Sequence, residues 1–278
     1  MRLLRGELRK LIKRPASRIT LIILLALILL IYLASAASFR ALTDNPTAPN
    51  AAQSRAGIRL FLTFPGAYAA VISFIAGLGG LLAVGYGAAA AGADWGWGMV
   101  KVAVARGESR SRYFLAKLAA VLLLVWLGVL IAFGVGVIAA FVGATVAGID
   151  TSGVSDSSVV GVLPEQLLRA CWGIAEEATI GFAIATFARS QLAGLGAGIA
   201  LFFVEGFASL FLADIVKYFP FAVAQSALRV TQGGAGNGGG ALTVPPLDPN
   251  FSLLLVTIYF AVAAVAAVVI VERAEITG

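Results

Sequence analysis

Three carboxylates stand inside long apolar runs: Glu176 and Glu177 midway along one, and Glu205 within the next. A charge at the centre of a bilayer costs about 2.5–3.5 kcal/mol on insertion scales. Acids kept at such depth either line a polar route or a subunit interface, or are satisfied by a Ser, a Thr or a neighbouring helix. Glu176 and Glu177 are about 100° apart on a helix, so they do not share one narrow face. A second set of groups falls in Gly92–Lys117, GADWGWGMVKVAVARGESRSRYFLAK, where Lys101, Arg106, Arg110, Arg112 and Lys117 outnumber Asp94 and Glu108. Charges beside an aromatic such as Trp95 suit the gripping of another protein; the plainer reading is a basic loop that only orients the chain. Enzyme chemistry has little to work with. The chain has no His and a single Cys, Cys171, and it lacks H-E-x-x-H and G-x-S-x-G, which argues against a metal or His-based catalytic site and against an intrachain disulfide.

The elements that must position these groups are membrane helices. Of 278 residues 60% are hydrophobic and only 12% charged, against about a quarter charged in an average domain, and mean hydropathy is +0.97. The expected fold is an all-α integral membrane protein, one transmembrane domain over residues 1–278. Residues 1–18 carry seven basic residues around a face of Leu3, Leu4, Leu8, Leu11 and Ile12: an amphipathic helix lying among lipid headgroups, its cations towards anionic lipid. Pro15 ends it. That charge, with an apolar run of roughly 20 residues behind it, argues against a signal peptide.

The spacing predicts six spans, at 19–38, 65–91, 113–149, 164–188, 192–212 and 251–271, each long enough for a bilayer. The stretch 39–64 reads as an outer loop and 150–161 as a short outer linker. Residues 214–230, with Lys217 and Pro220, read as broken or re-entrant helices in the outer leaflet, followed by a Gly-rich tip at 231–240. The third run exceeds one bilayer thickness and is expected to tilt, to bend near Gly134 and Gly136, or to project. Within 92–117, Trp95, Met99, Val102 and Ala103 recur at helical steps, which predicts a short helix at the membrane surface, broken at Gly107. With both termini cytoplasmic, fourteen of the 20 Lys and Arg fall inside, as the positive-inside rule requires.

Two motifs then carry a resemblance. The opening Glu7-Leu8-x-Lys10-Leu11 followed by Arg14-Pro15, and the later set of Asp94, Gly98, Lys101, Ser109-Arg110 and Lys117, resemble the permeases of type-2 ABC exporters. Asp94 stands where Glu is commoner in that family, and Met99 where Thr is. The resemblance implies that residues 1–18 are the elbow helix. It also implies that the central loop is a coupling helix docked on an ATPase, with Asp94, Trp95, Gly98, Met99, Lys101, Arg106 and Arg110 at the contact, and that short re-entrant helices precede the last span. It implies two permeases, as homodimer or related heterodimer, working with two ATPase subunits in the inner (cytoplasmic) membrane.

The chain has no G-x-x-x-x-G-K-[ST] phosphate loop, so ATP and Mg belong to the partner and this chain is expected to bind no cofactor of its own and no nucleic acid. The expected cargo is hydrophobic or amphipathic: a drug, an antimicrobial peptide or a lipid. Glu176, Glu177 and Glu205 are then candidates for the substrate pathway or the permease–permease interface. A secondary transporter without an ATPase is the alternative; it usually shows internal repeats, and none is evident.

Overall fold

The computed structural model describes residues 2–47, 49–96, 99, 109–228 and 245–273. Every element among them is helical. The first helix, α1 (Arg2–Lys13), buries Leu11 and leaves Arg5, Arg9 and Lys13 exposed; Ile12, expected on the apolar face, is exposed as well. Arg14 is extended (φ −71°, ψ 137°) and Pro15 opens α2 (Pro15–Asp44). That is the conformation forced on a residue before proline, and Pro itself suits a helix start. The chain therefore turns sharply between α1 and α2.

The stretch 39–64 is not the outer loop expected. Helix α2 runs on to Asp44, and α3 (Ala51–Leu62) folds back along it. The contact that holds this hairpin is the stack of Tyr32 on Phe61, ring centroids 4.6 Å apart, with Leu62 fully buried. Its polar residues cluster at the Asp44–Asn50 turn, and the flanks keep enough apolar surface to pack.

Helix α4 (Gly66–Gly96) contains a π-helical turn at Ile75–Gly79 and is the axis of the bundle. Of its most apolar window 72% is buried, against 22% for α2 and 28% for α5 (Arg110–Ala147). It packs chiefly on α7 (Leu163–Ala188), and glycines decide how closely. A Cβ on Gly87 would overlap the Ala178 carbonyl, and one on Gly181 would overlap the Val84 carbonyl, so each helix offers a bare backbone to the other's. Helix α5 has 38 uninterrupted residues, about 57 Å at the helical rise. It neither breaks at Gly134 nor at Gly136, and it outruns a hydrocarbon core of about 30 Å. It ends at Gly148, whose φ of 71° lets its N–H close on the Ala144 and Thr145 carbonyls, a left-handed helix cap.

A 3-10 turn (Ser152–Ser155) and the single-turn α6 (Ser157–Val160), capped by Asp156, lead into α7. Arg189 (φ 50°) and the N-cap Ser190 turn the chain directly into α8 (Gln191–Ser209). Two short helices follow, α9 (Ala213–Val216) and α10 (Pro220–Ser226), and then α11 (Pro249–Arg273).

Five helices among the described residues, α2, α4, α5, α8 and α11, are long and apolar enough to cross a membrane. Their outward faces carry Ile22, Leu30, Leu127, Ile138, Phe203 and Val262 exposed, as suits helices that face hydrocarbon. This is a multi-pass helical membrane protein. Helix α7 is 26 residues long and mostly buried, but it carries Glu165, Arg169, Glu176 and Glu177.

Candidate functional site

At one end of the bundle three helices converge on charges. Glu7, Lys10 and Arg14 recur at helical spacing along α1 and its end, Asp94 lies in the last turn of α4, and Tyr113 and Lys117 share a face of the first turns of α5. Asp94 is fully buried. It accepts from Lys117 Nζ at 2.5 Å, the Tyr113 hydroxyl at 2.5 Å, Arg14 at 2.9 Å and Lys10 at 3.1 Å. Lys117, also fully buried, donates in addition to Glu7 Oε2 at 2.6 Å, and Lys10 pairs with Glu7 at 3.6 Å. Lys10 donates to the Tyr113 oxygen at 3.3 Å, and Lys117 lies 5.4 Å from the Tyr113 ring centroid.

The network joins residues up to 110 positions apart. Two acids meet three bases with a phenol between them, so the buried charges are paired and their remaining hydrogen-bonding capacity is largely used. That is the condition under which such a cluster is tolerated. Its mechanical consequence is a rigid corner: α1, which otherwise touches the bundle through a few leucines, is tied to the ends of α4 and α5.

Asp94 and Trp95, both expected at an ATPase contact, are engaged within the chain. Asp94 offers no surface to a docking partner, because its oxygens are spent inside the chain. Trp95 is half-buried and packs on Phe114, ring centroids 6.0 Å apart, with the Arg189 guanidinium 5.4 Å from its ring. Arg110 donates to the Glu272 carbonyl at 3.4 Å, which ties the start of α5 to the end of α11. Met99 is helical, while Gly98, Lys101 and Arg106 of the expected surface helix lie outside the described residues, as does the Gly-rich tip. Of the opening motif, Glu7, Lys10 and Arg14 enter the network and Pro15 sets the turn.

Glu176, Glu177 and Glu205 are all buried, but in different surroundings. Glu205 accepts from the backbone N–H of Ala222 at 2.6 Å and of Phe221 at 3.3 Å; this carboxyl at the start of α10 matches the plainer expectation of an acid satisfied by a neighbouring helix. Glu177 points at α4, where its carboxyl fills the space above Gly80, just past the π-helical turn; a Cβ there would overlap it. Its Oε2 and both oxygens of Glu176 are buried with no hydrogen-bond partner among the described residues. Nor do the described residues include a group of three or more acids, Cys or His that could hold a metal ion.

Two features escaped the sequence reading. The first is that Tyr113 joins the network and that Lys117, named only within the central motif, is buried in it; the available signal was a Lys two turns inside a long apolar helix, where a charge must be paired. The second is Arg169, which is buried and fastens α7 to the segments around α11. It donates to Glu165 at 3.0 Å, the Ala227 carbonyl at 3.1 Å, the Pro249 carbonyl at 3.2 Å and Asn250 at 2.9 Å.

No curated protein matches this chain. A family model described as "Protein of unknown function (DUF2705)" matches residues 66–277, a span that holds Asp94, Tyr113, Lys117, Glu176, Glu177 and Glu205 but not α1. With most of its length inside that match, the chain belongs to the DUF2705 family.

Proposed function

We propose that this chain is the membrane-spanning permease of an ATP-driven exporter of the type-2 ABC kind. It crosses the inner (cytoplasmic) membrane six times, with α7 as the sixth span and both termini in the cytoplasm. Helix α1 is the elbow helix, the loop containing Gly98, Met99, Lys101 and Arg106 is the grip for a separate ATPase, and α9 and α10 re-enter the outer leaflet. Two copies work with two ATPases, which bind the ATP and Mg, to move a hydrophobic or amphipathic substrate outwards.

The observation that carries this reading is the Glu7–Lys117–Asp94–Lys10–Arg14 network. A subunit driven from outside needs a stiff link between the surface that is pushed and the spans that move. Fully buried ion pairs at the foot of α4 and α5 supply one, immediately beside the loop between them. Asp94 then anchors the loop rather than touching the ATPase. The Arg189–Trp95 contact adds the α7–α8 turn to the same corner.

One observation favours a second reading, a secondary transporter. Glu176 and Glu177 carry buried oxygens with no partner among the described residues, a feature that suits coupling to protons or a small cation. Reconstitution separates the two. The purified chain in proteoliposomes, with and without a separately purified phosphate-loop ATPase, is assayed for substrate movement under ATP and under a proton or sodium gradient. ATP-dependent movement only with the ATPase present is the expected result, together with no ATP turnover by the chain alone. Movement driven by an ion gradient in the absence of an ATPase, abolished by Glu176→Gln, would sink the exporter reading.

A further inference from the structure

A cavity of about 310 Å³ opens between the α1–α2 corner and the sides of α4, α5 and α7, within the roughly 300–1,000 Å³ range of small-ligand sites. Its walls are hydrocarbon, including Leu24, Ala83, Val125 and Ile174, and Leu127 and Ile131 on its margin are themselves exposed. It therefore opens where the bundle faces lipid tails. The polar part of the lining is confined to the α1–α2 end. There Ser17 is engaged by the Leu11 carbonyl and the Tyr86 hydroxyl, at 2.5 and 3.0 Å, while Arg18 is exposed and has no partner among the described residues. Arg5, Arg9 and Lys13 stand exposed on the adjoining helix, also without an acid partner among those residues.

An apolar slot open to the bilayer, with unpaired cations at its headgroup end, is complementary to one kind of molecule. We propose that the cavity binds an anionic glycerophospholipid, one acyl chain within the slot and the phosphate at Arg18. Clustered cations on an amphipathic helix favour anionic lipid by about fivefold for each charge near the surface; the slot turns that general attraction into a site. A water-soluble anion would leave the apolar walls unfilled, and a zwitterionic lipid, though it carries the same phosphate, would bring a cation of its own among Arg5, Arg9, Lys13 and Arg18 and no net charge to match theirs. The site requires no export activity.

Position 128 allows the cavity to be filled without touching the charges. Gly128 lines it from α5, and a Cβ there meets only Leu21, at 3.9 Å. Gly134, on the same helix, has no atom within 4 Å of an added Cβ and does not line the cavity; Gly134→Leu is the matched control. Delipidated protein in detergent is titrated with phosphatidylglycerol or phosphatidylcholine, with melting temperature and the lipid retained in native mass spectra as readouts. The expected result is a saturable rise with phosphatidylglycerol in the unaltered protein and in Gly134→Leu, its loss in Gly128→Leu, and a midpoint about fivefold higher in Arg18→Gln. Should Gly128→Leu fail to accumulate, Leu82→Phe fills the same space from α4. An undiminished response in the filled variant, or an equal response to phosphatidylcholine, overturns the proposal. So does a filled variant that dissociates a dimer while its lipid response is unchanged, because the cavity then belongs to a second copy of the chain.

Discussion

Replacing Asp94 by Ala tests whether the charge network is structural. In the native chain Asp94 is 0% exposed and takes hydrogen bonds or ion pairs from Lys10, Arg14, Tyr113 and Lys117. Its removal leaves Lys117, itself 0% exposed, with Glu7 as its remaining acid partner and strands the Tyr113 hydroxyl without its acceptor. Breaking a buried pair from one side costs about 3–5 kcal/mol, and here Glu7 alone is left to face both Lys10 and the buried Lys117. That is roughly two to four powers of ten in the unfolding equilibrium at about 1.36 kcal/mol each. Equilibrium unfolding in mixed detergent micelles, for Asp94→Ala beside the native chain, measures it. The double variant Asp94→Leu with Lys117→Met removes both buried charges while Glu7 keeps Lys10. It is expected to recover more than half of the loss, about 2–3 kcal/mol, because apolar side chains leave no buried charge at either position. A cost below about 1 kcal/mol for Asp94→Ala, the range of exposed ion pairs, would refute the reasoning and return Asp94 to the surface role expected of it from sequence.

Two other outcomes follow from the packing and the charge distribution. Gly181→Ala places a methyl against the Val84 carbonyl of α4, a backbone atom that does not rotate away. It is expected to cost about 1–3 kcal/mol by overpacking, read as a lower melting temperature in detergent, whereas Gly196→Ala, with open space around its Cβ, leaves the temperature unchanged. For orientation, a cysteine at Gly236 is expected to react with an impermeant thiol reagent from outside intact cells, against a background kept low because the native Cys171 is buried; labelling only after lysis reverses the topology.

Helical class, the approximate positions of the long helices and the break at Pro15 were legible from residue order, since each depends on a local property. Hydropathy summed over about 20 residues decides whether a segment belongs in a bilayer, and proline acts on its own turn. The same locality explains the miss at 39–64. Asn, Pro and Asp near the Asp44–Asn50 turn coloured the whole stretch polar, whereas the helices on either side of it form because Phe61 and Leu62 find Tyr32 and the bundle.

What residue order alone left open is which charges meet. It singled out Glu7, Lys10, Arg14, Asp94 and Lys117, but as two motifs facing outwards. Their convergence depends on the register of α4 against α7 and of α1 against α5, set partly where Gly87 and Gly181 allow two backbones to touch. The same holds for the acids. Glu176, Glu177 and Glu205 read alike in sequence, yet the tertiary structure gives Glu205 two backbone donors, lays Glu177 over Gly80 and leaves Glu176 without a partner among the described residues. A carboxylate's chemistry is set by the atoms around it, and here those atoms come from other helices: α10, some 16 residues beyond Glu205, and α4, nearly a hundred residues before Glu177.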